Sequence, residues 1–169
     1  DIRLDFALGG GALMDLGCYT IHMIRHLSGV EPSVVRAEAT LSSPQVDRSM
    51  DVDFHLGNGA TAHTFCSFRS RALFRIDLQI VGERGNVRVG NIILPHVVYH
   101  KLTVETPEAK RSERFPKRST YAYQLDAFVA AVNGADYPTN TADGVGNMRV
   151  IDDAYEAAGL ERRGKIDNS

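Results

Sequence analysis

An acid, a phenol and two imidazoles recur at Asp15, Tyr19, His22 and His26, spaced by four, three and four residues. At about 100° per residue these positions fall within a roughly 60° arc, so a single helix face would carry all four. A phenol ionises near pH 10 when unperturbed and becomes a working proton donor or acceptor once a nearby cation lowers that value. A carboxylate one turn away can orient a substrate hydroxyl or a partner's proton. The competing reading of Asp15 and Tyr19 is an ordinary solvated helix face. His22 and His26 also have the i, i+4 spacing at which two imidazoles share a metal ion, with Asp15 as a third ligand. No HExxH pattern and no further neutral ligand accompanies them, so surface or substrate-facing histidines are preferred and no metal is expected.

The element that must position these residues runs from Gly9 to Gly29. Leu13, Leu16, Thr20, Met23 and Leu27 recur at steps of three and four and predict a core-facing stripe on the same helix. Gly29 marks its end. Gly9-Gly10-Gly11 opens it, and a phosphate cradle at the helix N-terminus is one use of such a run. The run does not follow a strand in a βαβ unit and lacks the GxGxxG spacing, so close backbone packing is the better account. Cys18 and Cys66 read as packing residues.

The rest of the chain supplies a scaffold. Residues 1–8 read as an extended lead-in. Strands are predicted over 33–42, over 50–56 and, after the hairpin signal Asn58-Gly59, over 60–68. Further strands are predicted over 73–81, 86–89, 92–94 and 96–106. Residues 107–118 form a charged loop or a charge-protected edge strand. Two helices follow, over 121–132 with Ser119 or Thr120 as cap, and from about Thr141 to Ala158 with Val145, Met148, Ile151 and Tyr155 inward. The polar tail reads as frayed. A helix, then hairpin-linked strands, then helices argues for an α+β fold: an open, mostly antiparallel sheet with helices packed on one face. An open face carrying apolar residues predicts homo-oligomerisation through the sheet.

At 169 residues and 43% hydrophobic content, the chain is expected to form a single domain with a real core. A net charge of −2 gives no basis for nucleic-acid or anionic-membrane binding. The basic cluster at 110–118 is diluted by acids, as a solvated loop would be. Two cysteines exclude a disulfide framework and fit a reducing cytoplasm. No apolar run is long enough for a transmembrane helix and no signal-peptide pattern appears. The chain begins at Asp1, almost on its most informative motif, which suggests a piece of a longer polypeptide.

Read as a string, GGGALMDLGCY (Gly9–Tyr19) resembles the opening of the C-terminal domain of Gfo/Idh/MocA oxidoreductases. Within that family it is most similar to the branch of glucose-fructose oxidoreductase, dihydrodiol dehydrogenase and xylose dehydrogenase. Arg3 before the glycines, Gly29–Pro32, Gly82–Gly85, Tyr121–Val132 and Gly146–Tyr155 extend the similarity over nearly the whole chain. The resemblance implies a dihydrodipicolinate reductase-like C-terminal fold, often dimeric through its sheet. It also implies the substrate-side half of an NAD(P)-dependent oxidoreductase acting on a sugar or related hydroxylated or carbonyl compound. Tyr19 and Asp15 would be catalytic, beside a lysine from a nucleotide-binding domain, with His22 and Arg3 contacting substrate. No Rossmann unit occurs within these residues, so NAD(P) would be bound mainly by a separate domain and the fragment alone would be inactive. The rival expectation is a standalone, non-enzymatic sugar-binding or assembly module of the same fold.

Overall fold

A computed structural model describes residues 1–57, 59–69, 76–97, 100–137 and 139–163. Its elements fall into two compact units, residues 1–70 with 139–169, and residues 71–138.

In the first unit, strict alternation builds the central strand. β2 (Val46–His55) turns Met50, Val52 and Phe54 inward and leaves Asp51, Asp53 and His55 on the other side. It lies between β1 (Ser33–Ser43) and β3 (Thr61–Ser67), antiparallel to both. β2 begins four residues earlier than the expected strand, because Pro44-Gln45 makes a tight turn from β1 in which Gln45 takes a φ of 65°. Asn58, in the expected hairpin turn, lies outside the described residues.

The helices cover one face of this sheet. The expected single helix from the glycines is instead a wide π turn (Leu13–Gly17) followed by α1 (Cys18–Ser28), ended by Gly29 with its N–H on the Arg25 carbonyl. Its buried line is Leu13, Gly17, Ile21 and Arg25, not the line of Leu16, Met23 and Leu27; Leu27 is exposed. Apolarity alone misplaces the stripe, because two of the true inward positions are a glycine and an arginine. A Cβ on Gly17 would lie 2.5 Å from Leu13 Cδ1 on the preceding turn and 3.3 Å from Cys66 Sγ on β3, so a side chain here would displace Leu13 and crowd β3. α3 (Thr141–Ala157), capped by Asn140, buries Val150, Ile151, Ala154 and Tyr155 against the same core, while Val145 is exposed. Residues 1–8 are not extended: Asp1 and Asp5 cap two 3-10 turns, Ile2–Leu4 and Phe6–Leu8.

The second unit contains a separate antiparallel sheet in the order β4 (Asp77–Gly82), β5 (Gly85–Gly90), β6 (Lys101–Glu105), β7 (Lys110–Glu113). The α+β class and antiparallel pairing agree with the sequence reading, but the strands divide between two sheets. β7 is the charged edge strand. Residues 92–94 are not a strand, and the expected 96–106 strand is confined to Lys101–Glu105, since a turn occupies 95–97. Positions 73–75, 98–99 and the tail from 164 lie outside the described residues. Leu78, Ile80, Val87, Val89, Leu102 and Val104 share one face of this sheet, and none of them is buried. α2 (Thr120–Val132), capped by Ser119, likewise buries none of its residues.

Candidate functional site

Of the four residues singled out from sequence, Asp15 lies in the π turn, Tyr19 and His22 in the first half of α1 and His26 in its last turn, all in the first unit. The 3-10 turns bring Arg3 back over the π turn, where its Nε donates to Asp15 Oδ2 at 2.9 Å. Arg3 and Asp15 are therefore brought together, which their separation of twelve residues does not suggest. Asp15 lies inside the π turn, with its N–H on the Gly11 carbonyl at 3.0 Å. The wide turn advances the chain less per residue than an α-helix, so Asp15 is not in simple α-helical register with Tyr19. Tyr19, in the first turn of α1, is 49% exposed.

His22 and His26 do stack one turn apart, with ring centroids 5.9 Å apart. His22 Nδ1 lies 3.4 Å from Asp143 Oδ2 on α3. Asp143 also accepts from Arg25 Nη1 at 2.8 Å, and Glu31 accepts from the same guanidinium at 2.6 and 2.7 Å. These hydrogen bonds hold the Glu31 carboxyl below its usual range. A Cβ on Gly146 would run into Arg25 Nη2, so glycine at this position makes room for a buried cation. Asp143, Asn147, Ile151 and Tyr155 follow at steps of four along α3 and grip the site segment over its length. Asn147 Nδ2 donates to the Cys18 carbonyl at 3.0 Å, and Tyr155 reaches the glycine turn. From β3, Thr64 Oγ1 donates to Thr20 Oγ1 at 2.6 Å, and Thr20 in turn to the Gly17 carbonyl.

The glycine turn is tight for packing reasons. A Cβ on Gly10 would lie 2.7 Å from the backbone of Asp5, and one on Gly11 would collide with Asp47 Oδ1. Asp47 is fully buried, and its Oδ2 takes the Leu13 N–H at 2.8 Å, which an anion at a helix N-terminus would otherwise use. The turn therefore does not fit a dinucleotide pyrophosphate. Nothing in the local sequence marks Asp47, Tyr155, Asn147 or Arg163 as neighbours of the glycines; they converge only through the fold.

Neither cysteine is set up as a nucleophile. Burial pushes the Cys66 thiol up to about 12 and raises that of Cys18. Among the described residues, Asp51, Asp53 and His63 bring possible ligand atoms within 4.8 Å of one another on the outer face of the sheet. Arg36 already lies 3.1 Å from Asp53 and 3.5 Å from Asp51, and His63 Nδ1 is 2.9 Å from Asp53, so the cluster is paired internally. No helix is long and apolar enough to cross a membrane among the described residues.

An antiparallel α+β scaffold with an acid, a phenol and an imidazole at the head of its first helix matches a known domain type. Residues 1–88 match the family model described as the GFO/IDH/MocA C-terminal domain, and the chain belongs to that family of oxidoreductases. It is similar to D-xylose 1-dehydrogenase (NADP(+)) 2 of Haloferax volcanii, 29% identical over 94% of this chain and 49% of the relative. It is also similar to an uncharacterized oxidoreductase, ORF334, of Rhizobium meliloti, 26% identical over 91% of this chain and 48% of that protein. Among solved structures, aldose-aldose oxidoreductase from Caulobacter crescentus, complexed with glycerol, superposes with a TM-score of 0.79 at 26% identity, over 94% of this chain and 49% of the other. The 3-ketoreductase KijD10 of Actinomadura kijaniata, with TDP-benzene and NADP, shares the fold at a TM-score of 0.74 and 18% identity, over 88% of this chain and 47% of the other. The chain spans about half the length of the relatives it matches.

Proposed function

We propose that this chain is the substrate-side part of an NAD(P)-dependent oxidoreductase that interconverts a hydroxyl and a carbonyl on a sugar or related compound. The observation that carries the reading is the Arg3–Asp15 pair, which holds a carboxylate in place one turn before a half-exposed phenol. Oxidising a carbinol requires removal of its hydroxyl proton, and reducing a carbonyl requires delivery of one. Tyr19 moves that proton, and a cation beside it would bring its pKa toward neutrality. Asp15, held by Arg3, orients the reacting hydroxyl, and Arg3 contributes a further donor to the substrate. His22, with Nδ1 toward Asp143, directs its other nitrogen to a neighbouring substrate hydroxyl. The nicotinamide cofactor supplies or accepts the hydride and is held mainly by parts of the protein outside these residues, since the glycine turn is filled by Asp47 and Tyr155. On this reading residues 1–169 alone do not turn over.

The names of the relatives support a sugar-like substrate, and their doubled length supports a separate nucleotide-binding part. The apolar face of the β4–β7 sheet, none of whose six side chains is buried, supports homo-oligomerisation through that sheet, and two free cysteines fit a reducing cytoplasm.

The test is Tyr19→Phe in the full-length protein, assayed with D-xylose and other aldoses and both nicotinamide nucleotides. Loss of one general acid–base group should lower kcat about 10²- to 10⁴-fold while leaving the melting temperature nearly unchanged. Turnover that survives unchanged refutes the assignment and favours a binding or assembly module.

A further inference from the structure

We propose that Asp47, Tyr155 and Arg163 are positioning residues that hold the Asp15–Tyr19 segment in its working geometry; this rests on the reading of Tyr19 given above. Asp47 is the one buried carboxylate among the described residues and is 0% exposed. A carboxylate withdrawn from water is unfavourable unless its lone pairs are fully used. Here Oδ2 accepts the Leu13 N–H at 2.8 Å, and Oδ1 accepts the Tyr155 hydroxyl at 2.9 Å with Arg163 Nη2 at 3.4 Å.

Arg163 ties the same carboxylate to the backbone around it. Its Nε donates to the Gly10 carbonyl at 3.0 Å, its Nη2 to the Gln45 carbonyl, and its Nη1 to the Glu161 carbonyl at 2.7 Å. The guanidinium lies 3.8 Å from the centre of the Tyr155 ring and 4.9 Å from that of Phe6. Gln45 is held in the left-handed region, a conformation that persists only where surrounding contacts over-determine it.

Two of these bonds end on Gly10–Leu13, at the entry to the π turn: the Leu13 N–H is held by Asp47 and the Gly10 carbonyl by Arg163. The Gly11 carbonyl takes the Asp15 N–H, so the clamped backbone is one hydrogen bond from the carboxylate that Arg3 orients. A purely apolar contact could bury the same area, but it would not dictate the direction of the Leu13 N–H or the Gly10 carbonyl. A buried, fully satisfied polar network does dictate them. The residues lie 34 positions (Asp47 from Leu13), 108 positions (Tyr155 from Asp47) and 153 positions (Arg163 from Gly10) apart, so the geometry exists only in the folded unit.

The experiment compares Tyr155→Phe and Asp47→Asn in the full-length protein with Val52→Ala, a core truncation in β2 away from the network. Tyr155→Phe removes one oxygen and keeps the ring beneath Arg163, so it serves if Asp47→Asn does not fold. Amide hydrogen exchange is followed on peptides covering residues 9–19 and 46–55, and kcat and KM are measured with D-xylose, or another aldose the parent accepts, and NADP(+). The network variants should speed exchange in residues 9–19 at least tenfold with little change in 46–55. They should also lower kcat about tenfold to a hundredfold without changing the KM for nucleotide. Val52→Ala should lower the melting temperature while kcat and the 9–19 peptide stay as in the parent. Unchanged exchange in 9–19, or an unchanged kcat in a folded Tyr155→Phe variant whose Tyr19→Phe counterpart is inactive, overturns the proposal and leaves the site reading standing. An active Tyr19→Phe variant removes both.

Discussion

Replacing Gly11 with alanine adds one methyl group where three parts of the chain already meet. Gly11 has a φ of 142°, which a residue with a Cβ adopts only with strain on the order of 1–3 kcal/mol. The methyl would also collide with Asp47 Oδ1 and lie 2.6 Å from the Tyr155 hydroxyl. Either the turn shifts or the Tyr155–Asp47 bond opens, and each buried partner left unpaired costs about 1–3 kcal/mol. Together the change should destabilise the protein by about 3–5 kcal/mol, or roughly 6–20 °C in melting temperature for a unit of this size. Gly9→Ala is the matched control: its φ of 75° is also left-handed, but nothing lies within 4 Å of the added Cβ. It should cost only about 1–2 kcal/mol. Urea unfolding followed by circular dichroism, with calorimetry for the melting temperature, measures both. In the double variant Gly11→Ala/Tyr155→Phe, the freed space should make the combined cost smaller than the sum of the two single ones. If Gly11→Ala costs no more than Gly9→Ala, the packing account of the glycine run is wrong.

Arg25→Met should destabilise by about 2 kcal/mol, less than a fully enclosed pair would, because Glu31 and Asp143 can turn toward water. The same pair sets an acid dependence. Glu31 titrates below its ordinary value of 4.5 in the folded chain, so its contribution is complete above that pH and is lost as acid passes through the lowered value. Stability against pH should therefore fall more steeply below 4.5 in the parent than in Arg25→Met, and parallel acid limbs would contradict the assignment. Cys66, with its thiol pushed up to about 12, should resist iodoacetamide at pH 8 in the folded protein and react fully in urea; labelling under native conditions would show that the helix–sheet contact opens.

Much of this protein is written locally. The alternation of Met50, Val52 and Phe54, the Ser119 cap and the Gly29 stop each depend on a few adjacent residues, and each appears in the structure where the pattern places it. Asp15, Tyr19 and His22 stand out in the sequence because they share one short segment, the first two within the string Gly9–Tyr19; their roles are those proposed above. The π turn is not legible, because no hydrophobic period distinguishes it from ordinary helix. The inward line through Gly17 and Arg25 is hidden as well: close approach needs a missing side chain, and a buried cation needs partners from two other places. Nor does order along the chain say that the strands part into two sheets, since hairpins look alike whichever sheet they join. The buried carboxylate of Asp47 belongs wholly to the tertiary structure. In the sequence it is one acid among many; only the fold removes its water and brings it Leu13, Tyr155 and Arg163 in return.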